Sequence, residues 1–477
     1  MYIDSGIPTL NLEDLPKDKF KISIDNKTIK NILNKLELNG KKLYKEFSKV
    51  KSQRNKKLKS IKRSFLMDWK EGRRIPIDCF KVLCDLSNNK FKDLQKKIKC
   101  LNSGYSKKGW NIKFPIKLDK NYFIISEAIR TEGCIMKGKN SVQGIAISNK
   151  NIFLIKLIEN KLKKLNICEK SFSRRLHIYC YFKKKENIKT VLCKTTNRKL
   201  HFNFKNKRLI FTDFLLDFDN IEKEYEIVIN NKRIPLKIKT NKHDVIFVDS
   251  KLHSTAFVSL QAYNTVFAKF LHHCFDIPHS IGNKKSFIID FPFNIEKLSK
   301  DILKEIINIV VSCEGSVNIH KKARAITIKI GSLNYLKKLQ KILSIFGIGS
   351  FLWNKSVEKL YILEIRRKNN FLKFNNLIEL YTKHKKIKLM KILSSYQKDR
   401  FTYFEATKNY LSILQENEPI TLKEISKIMN KNYNTIMATF CRLYNEGLIN
   451  KYGKRYTGKG NTPWIFELTS KGKEYIN

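Results

Sequence analysis

Two segments of this chain close an amphipathic helix on Glu-Gly, 182 residues apart, and that repetition narrows the possible folds more than any other feature. The first runs from Tyr122 to Ile135. Phe123, Ile124, Ala128 and Ile129 form one apolar stripe, Glu132 stands at the helix end, and Gly133 is expected to make a left-handed C-terminal turn. The second runs from Ile302 to Val317, with Ser299 as N-cap, Glu314 at the end and Gly315 as terminator. One such helix is ordinary helix termination. Two with matching surroundings predict a pair of helices lying side by side, whose ends bring two carboxylates and free backbone carbonyls together. Such an oxygen-rich, negative cluster suits Mg²⁺, which can activate water and stabilise charge on a phosphate.

The rest of the chain is compatible with a polyanionic partner. Lys and Arg number 96 against 43 Asp and Glu, a net charge of +53 spread along the whole length. With 477 residues, 42% of them hydrophobic, the chain can bury several cores and predicts three or four domains. Its ten cysteines have no CxxC pair and are read as reduced core thiols, which favours a cytoplasmic setting. No segment approaches 18 uncharged apolar residues and the first 16 residues lack signal-peptide order, which argues against membrane and secretory roles.

Periodicity divides the chain into blocks. From Thr28 to about Cys100 apolar residues recur at helical spacing among lysines (Ile29, Leu33, Leu36; Phe65, Met67, Trp69; Phe80, Leu83, Leu86), predicting a small basic helical module. Within it Gly72 marks a turn and Pro76 starts a helix over 77–86, resembling a helix-turn-helix segment. A polar link at 103–109 and a change of pattern near Asp399 suggest further boundaries. The expected domains are 1–109, a basic helical module; 110–296, carrying the first Glu-Gly helix and an insertion at about 183–250; 297–400, carrying the second; and 401–477.

Both Glu-Gly helices resemble the LAGLIDADG motif of homing endonucleases, with Glu132 and Glu314 in the place of its metal-binding acid. After Gly315 come an alternating stretch to Ile330, a helix from Asn334 to Phe346, a strand at Leu360–Arg367 and closing helices from Phe371 to Leu393. That order is αββαββα, the unit of this family. The segments Asp276-Ile277-Pro278, Gly282–Ser286 and Phe291-Pro292 resemble the passage before the second motif in archaeal members, so that the likeness spans about residues 115 to 393. Departures are visible: the position usually held by Gly at the helix interface is Glu127 in one helix and Ile309 in the other, predicting strain on close approach, and Arg130 and Ser312 replace a frequent Asp.

The resemblance implies an α+β fold of two pseudo-symmetric αββαββα units, flanked by the N-terminal module and a C-terminal winged helix. It implies a monomeric endonuclease that cuts both strands of a specific DNA site with Mg²⁺ or Mn²⁺ held by Glu132 and Glu314. The start at Met1 and the end at Asn477, without a splicing nucleophile or a His-Asn pair, fit a freestanding protein rather than an intein. A basic group beside the scissile phosphate is expected from Lys284 or Lys285, or from Lys368. A saddle of strands would lie in the major groove with Gln143, His320, Lys321, Lys322, Arg324, Lys329, Arg366 and Arg367 as contacts.

In the C-terminal block, 421–430 reads as one capped helix, 432–446 as a second, and 450–460 as a basic hairpin. This resembles a winged helix, with Asn432, Asn434, Thr435, Thr439 and Arg442 facing DNA and Lys454 and Arg455 on the wing. Phosphate-loop, nucleophile-elbow, dinucleotide and zinc-ligand patterns are missing from the sequence. Cys134 and Cys313, beside the acids, read as packing residues. Two rivals share the scaffold: a non-cleaving DNA-binding regulator, and a maturase whose partner is intron RNA.

Overall fold

Asp119 and Ser299 start the two Glu-Gly helices. The Asp119 carboxylate accepts from the amide of Asn121 (2.9 Å) and the Ser299 hydroxyl from that of Ile302 (3.4 Å), each satisfying a donor that the first turn leaves unpaired. In the computed structural model, which describes residues 2–4, 6–17, 19–35, 68–103, 109–138, 142–279, 285–320, 323–355, 360–396, 403–454 and 464–476, these helices are Lys120–Thr131 and Lys300–Cys313. They pack against each other. They end alike, Glu132 at φ −97°, ψ −15° and Glu314 at φ −94°, ψ −17°.

The glycines that follow are not in the left-handed region, contrary to the expectation from capping rules. Each instead begins a strand in close contact with its own helix. A Cβ on Gly133 would lie 2.6 Å from the Ala146 carbonyl and 2.9 Å from Ile129 Cα; one on Gly315 would lie 2.5 Å from the Val311 carbonyl and 2.9 Å from Val311 Cα. Glycine is needed here for proximity, not for backbone angle.

Behind each helix the chain repeats one pattern. Strands Gly133–Lys137 and Val142–Asn149, helix Ile152–Lys164, strands Phe172–Tyr181 and His253–Ala262 and helix Thr265–Cys274 follow the first. Strands Gly315–His320 and Ala323–Ile330, helix Leu333–Ile345, strands Phe351–Lys355 and Leu360–Ile365 and helices Lys368–Leu377 and Lys383–Ser394 follow the second. In both sheets the fourth strand pairs between the second and the third. The extra residues of the first half sit between its third and fourth strands. Two of their strands, 202–205 and 208–215, extend that sheet to six; five others (188–193, 198–199, 223–229, 232–240, 246–249) make a separate antiparallel sheet. Asp213, buried in the larger sheet, accepts from Lys223 (2.8 Å), Tyr225 (3.0 Å) and Arg198, tying the two sheets together.

The N-terminal block is not purely helical, as its periodicity suggested. Helices at Asn26–Lys35 and Ile77–Leu86 are present, and Gly72 turns at φ +70°. Yet strands 21–24, 75–76, 98–102 and 110–111 form a four-stranded sheet, and 2–4, 7–10 and 116–117 a three-stranded one. The strands are too short for alternation to stand out. The predicted apolar residues Leu36, Phe65 and Met67 lie outside the described residues. Trp110 is buried against Tyr122, Phe267 and Phe270 of the first half, and Ser299, which caps the second Glu-Gly helix, donates its amide to the Gly6 carbonyl, so this block is packed against both halves.

By backbone contact the chain forms two compact units, residues 1–318 with 324–393, and residues 319–323 with 394–477. In the second, helices Tyr403–Asn417, Leu422–Ile428, Tyr433–Asn445 and Ser470–Ile476 accompany a sheet of Ile420–Thr421, Trp464–Leu468 and Ile449–Lys454. Thr421 and Glu424 form a reciprocal cap, and Leu411, Leu414, Ile425, Ile436, Phe440 and Leu443 make the core. All ten cysteines are free thiols, but Cys168 and Cys441 are exposed, so the reading of all ten as core residues does not hold. Among the described residues no helix is long and apolar enough to cross a membrane.

Candidate active site

Because the helices are adjacent, Glu132 and Glu314 are close enough to perturb each other. Burial raises the pKa of both; at Glu132 the charge of Glu314 adds to the rise, to about 7. Among the described residues neither carboxylate receives a hydrogen bond. Two desolvated, mutually repelling carboxylates without donors are a fitting donor set for a divalent cation, which would relieve the repulsion and supply the missing positive charge.

Two lysines hold the same place at the two helix ends. Lys285 donates to the carbonyls of Ile129 (2.6 Å) and Gly133; Lys385 donates to those of Val311 (2.9 Å), Ser312 (2.6 Å) and Cys313 (3.2 Å). An ammonium group against the last carbonyls of a helix is favoured by the helix dipole. These carbonyls are therefore not free, as the sequence had suggested. Burial lowers both lysine pKa values, Lys285 to about 8, while each lysine draws both glutamates downward. Lys285 was among the residues singled out from sequence; Lys385 was not. Its signal was there: in the lysine-rich helix 383–394 the buried positions are Lys385, Leu389 and Ile392, one lysine on the apolar stripe.

Cavities open on either side of the helix pair. One, of about 370 Å³, is lined by Thr131, Gly133, Lys285, Glu314 and Lys329; the other, of about 740 Å³, by Glu132, Ser148, Asn149, Ser312, Thr382 and Lys385 among others. Each draws on the end of both Glu-Gly helices, on the second strand of one half and on one of the two buried lysines.

The residues expected to strain the interface are accommodated. Ile309 is fully buried. The Glu127 carboxylate, also fully buried, accepts from Arg130 (3.0 Å) and from the Tyr335 hydroxyl (2.5 Å). Arg130 in turn donates to the carbonyls of Phe275 (2.5 Å), Asp290 (2.5 Å) and Asp276 (3.4 Å). Ser312 accepts from the Tyr381 amide at 3.0 Å. Glu127 thus fastens the first helix to the second half, Arg130 fastens it to segment 275–290, and Ser312 fastens the second helix to the closing segment. Cys313 and Cys134 have thiol pKa values raised by burial, consistent with packing residues.

The remaining predicted residues scatter. Lys329 is exposed and lines the smaller cavity; Gln143 is exposed, its side chain against Gly138; Arg324 is half-buried. Arg366 pairs with Glu364 (2.8 Å), and Arg367, at φ +74°, lies over the Phe351 ring at 5.8 Å. Lys368 is exposed at the start of its helix and lines neither cavity. In the C-terminal unit Asn434 and Thr435 are exposed, Asn432 caps the helix, Thr439 donates back to Thr435, and Arg442 is held by Thr407 (3.2 Å) and Glu446 (3.6 Å). The exposed ridge of this helix carries Tyr433, Met437 and Cys441. Lys284, Lys321, Lys322 and Arg455 lie outside the described residues, as do the side chains of His320 and Lys454.

Residues 303–379, beginning in the second Glu-Gly helix, match the family model described as a LAGLIDADG-like domain. Solved structures similar to the chain include full-length DUF199/WhiA from Thermatoga maritima (12% identity, 69% of this chain and 92% of that one, TM-score 0.28). They also include mesophilic variants of the homing endonuclease I-DmoI (10%, 54% and 90%, TM-score 0.26) and I-DmoI in complex with DNA and Mn (11%, 54% and 95%, TM-score 0.25). Comparison with curated proteins finds no match.

Proposed function

We propose that this protein is a metal-dependent double-strand DNA endonuclease of the double-motif LAGLIDADG type, with a C-terminal winged helix as an additional DNA-binding module. The observation that carries the reading is the pair Glu132 and Glu314, equivalent in backbone, half-buried, lacking donors among the described residues and each beside a lysine-capped helix end. A divalent ion held by these two carboxylates would supply an activated water and a counter-charge to the phosphate.

The chain's own groups divide the rest of the work. Glu132 and Glu314 bind as carboxylates, and their proximity lets one ion neutralise both. Lys285 and Lys385 hold positive charge where a phosphate would enter each cavity, and their bonds to helix carbonyls keep them fixed during the reaction. Lys285, with its pKa near 8, can also release or accept a proton close to neutral pH. Lys329 and Arg324, on the second strand of the second half, and Gln143, on that of the first, are phosphate or base contacts on the same reading.

The test is incubation of the purified protein with its own genomic flanking DNA and Mg²⁺, with EDTA as control, followed by mapping of breaks. Double-strand cuts at one locus that EDTA abolishes are expected. Specific binding without breaks would place the protein instead among non-cleaving DNA-binding proteins.

A further inference from the structure

The open face of the six-stranded sheet has a composition that duplex recognition does not require. On strand 172–181 the residues that alternate with buried Leu176, Ile178 and Cys180 are Arg175, His177, Tyr179 and Tyr181. His177 and Tyr179 flank Phe257 of the neighbouring strand in a nearly parallel row, with centroids 5.0 and 5.4 Å apart and interplanar angles of 22° and 24°. Guanidinium groups stand at two places on this face: Arg208 lies 5.4 Å from the Tyr179 ring centroid and Arg175 lies 5.0 Å from that of Phe214. Phe214 is 56% exposed and Tyr181 38%. Leaving the Phe214 and Tyr181 rings in water forgoes their burial. Rings interleaved with arginines on a strand surface suit bases that are free of a helix, because each base has a face to stack and each nucleotide a phosphate to pair.

This face runs into the larger cavity, since Phe257 is also one of its walls. Among the described residues the smaller cavity has no aromatic wall. The insertion also contributes to the larger cavity. Its turn 241–245 is docked on the start of helix 152–164, where the Asn151 side-chain Nδ2 donates to the His243 carbonyl (3.2 Å), the Ile152 backbone amide to that of Asp244 (2.9 Å) and the Ile246 backbone amide to that of Lys150 (2.9 Å). Asn241 and Val245 thereby become part of the lining, opposite Thr382 and His384. Thr382 Oγ1, His384 Nδ1 and His243 Nδ1 are buried and have no partner among the described residues. Two of these atoms, on Thr382 and His384, belong to residues that line the cavity, and they call for a ligand that offers hydrogen bonds.

We propose that this sheet face and the cavity it enters form a binding site for unpaired nucleotides, a single strand of RNA or DNA. Two or three bases stack among Tyr181, Tyr179, Phe257 and Phe214. One nucleotide occupies the cavity, its base edge meeting Asn241, Thr382 and His384 and its phosphate meeting Lys385. This site does not depend on cleavage, and it would operate equally in a protein that only binds.

The experiment is fluorescence anisotropy with the full chain and labelled oligouridine and oligothymidine of roughly twelve nucleotides, beside a duplex of the same length. Phe214→Ala and Tyr181→Ala, both at exposed positions, are expected to weaken single-strand binding about tenfold or more, since stacking contributes on that scale, while duplex binding stays within about twofold. His384→Ala is expected to weaken single-strand binding in the same selective way. Stronger binding in the uridine or the thymidine arm identifies the natural strand as RNA or DNA. The proposal is overturned if the wild-type chain binds neither oligonucleotide, or if the variants leave single-strand binding unchanged or reduce single-strand and duplex binding equally.

Discussion

Replacing Glu132 by Gln is expected to stabilise the metal-free protein at pH 8, an unusual outcome for removal of a charged group from a candidate active site. The carboxyl of Glu132 has its pKa raised from 4.5 to about 7. A carboxyl whose folded pKa exceeds its unfolded one holds more protons folded than unfolded between those two values. Stability therefore falls as pH rises from about 4.5 to about 7 and stays lower above. The full difference corresponds to about 3 kcal/mol at pH 8 and to less than about 1 kcal/mol at pH 5. Gln keeps the shape without the charge, so urea unfolding in EDTA should give a gain of about 2–3 kcal/mol at pH 8 that shrinks toward zero at pH 5. Added Mg²⁺ should stabilise the wild-type protein more than the variant, because the ion would neutralise the charge that Gln has already removed. A variant less stable than wild type at pH 8, or a difference independent of pH, would refute the electrostatic reasoning.

Other consequences are equally direct. Lys385→Met leaves the carbonyls of Val311, Ser312 and Cys313 without their donor and should cost about 1–3 kcal/mol in urea unfolding at pH 7. Because Lys385 lowers the pKa of both glutamates, any pH–rate midpoint should also move upward in that variant. Gly315→Ala, whose Cβ would press on the Val311 backbone, should lose about 1–3 kcal/mol even though its backbone angles suit alanine; an unchanged urea midpoint would contradict the packing argument. Thiol labelling of the native protein should modify Cys168 and Cys441 first and leave Cys313 protected until unfolding. DNA affinity should drop steeply with salt, by about 10³-fold or more between 50 and 200 mM if six or more phosphates are contacted; a flat response would remove the electrostatic basis for binding.

Much of the site was legible in the sequence because its grammar is local. A capped amphipathic helix ending on Glu-Gly can be read from a dozen residues, and two copies can be compared without knowing the fold. The αββαββα order of the second half could be read for the same reason, since its strands alternate and its helices carry clear stripes. What sequence missed depended on contacts between distant segments. Lys385 is one lysine among many until the helix that carries it is laid against the second Glu-Gly helix. Gly133 and Gly315 looked like turn residues, because capping rules describe the usual need for glycine and not the closeness of a strand to its own helix. Glu127 looked like an obstruction because its partners, Arg130 and Tyr335, come from one turn further along and from the other half. The insertion's role as a wall of one cavity could not be read at all, since it follows from where a short turn docks.

The central claim, that Glu132 and Glu314 jointly support cleavage, is tested most directly by the double variant Glu132→Gln, Glu314→Gln on the protein's own flanking DNA with Mg²⁺. The account predicts complete loss of strand breakage with DNA affinity nearly intact, because the amides keep the shape of the helix ends and leave the basic groups in place. Persistent Mg²⁺-dependent nicking by that variant would contradict it.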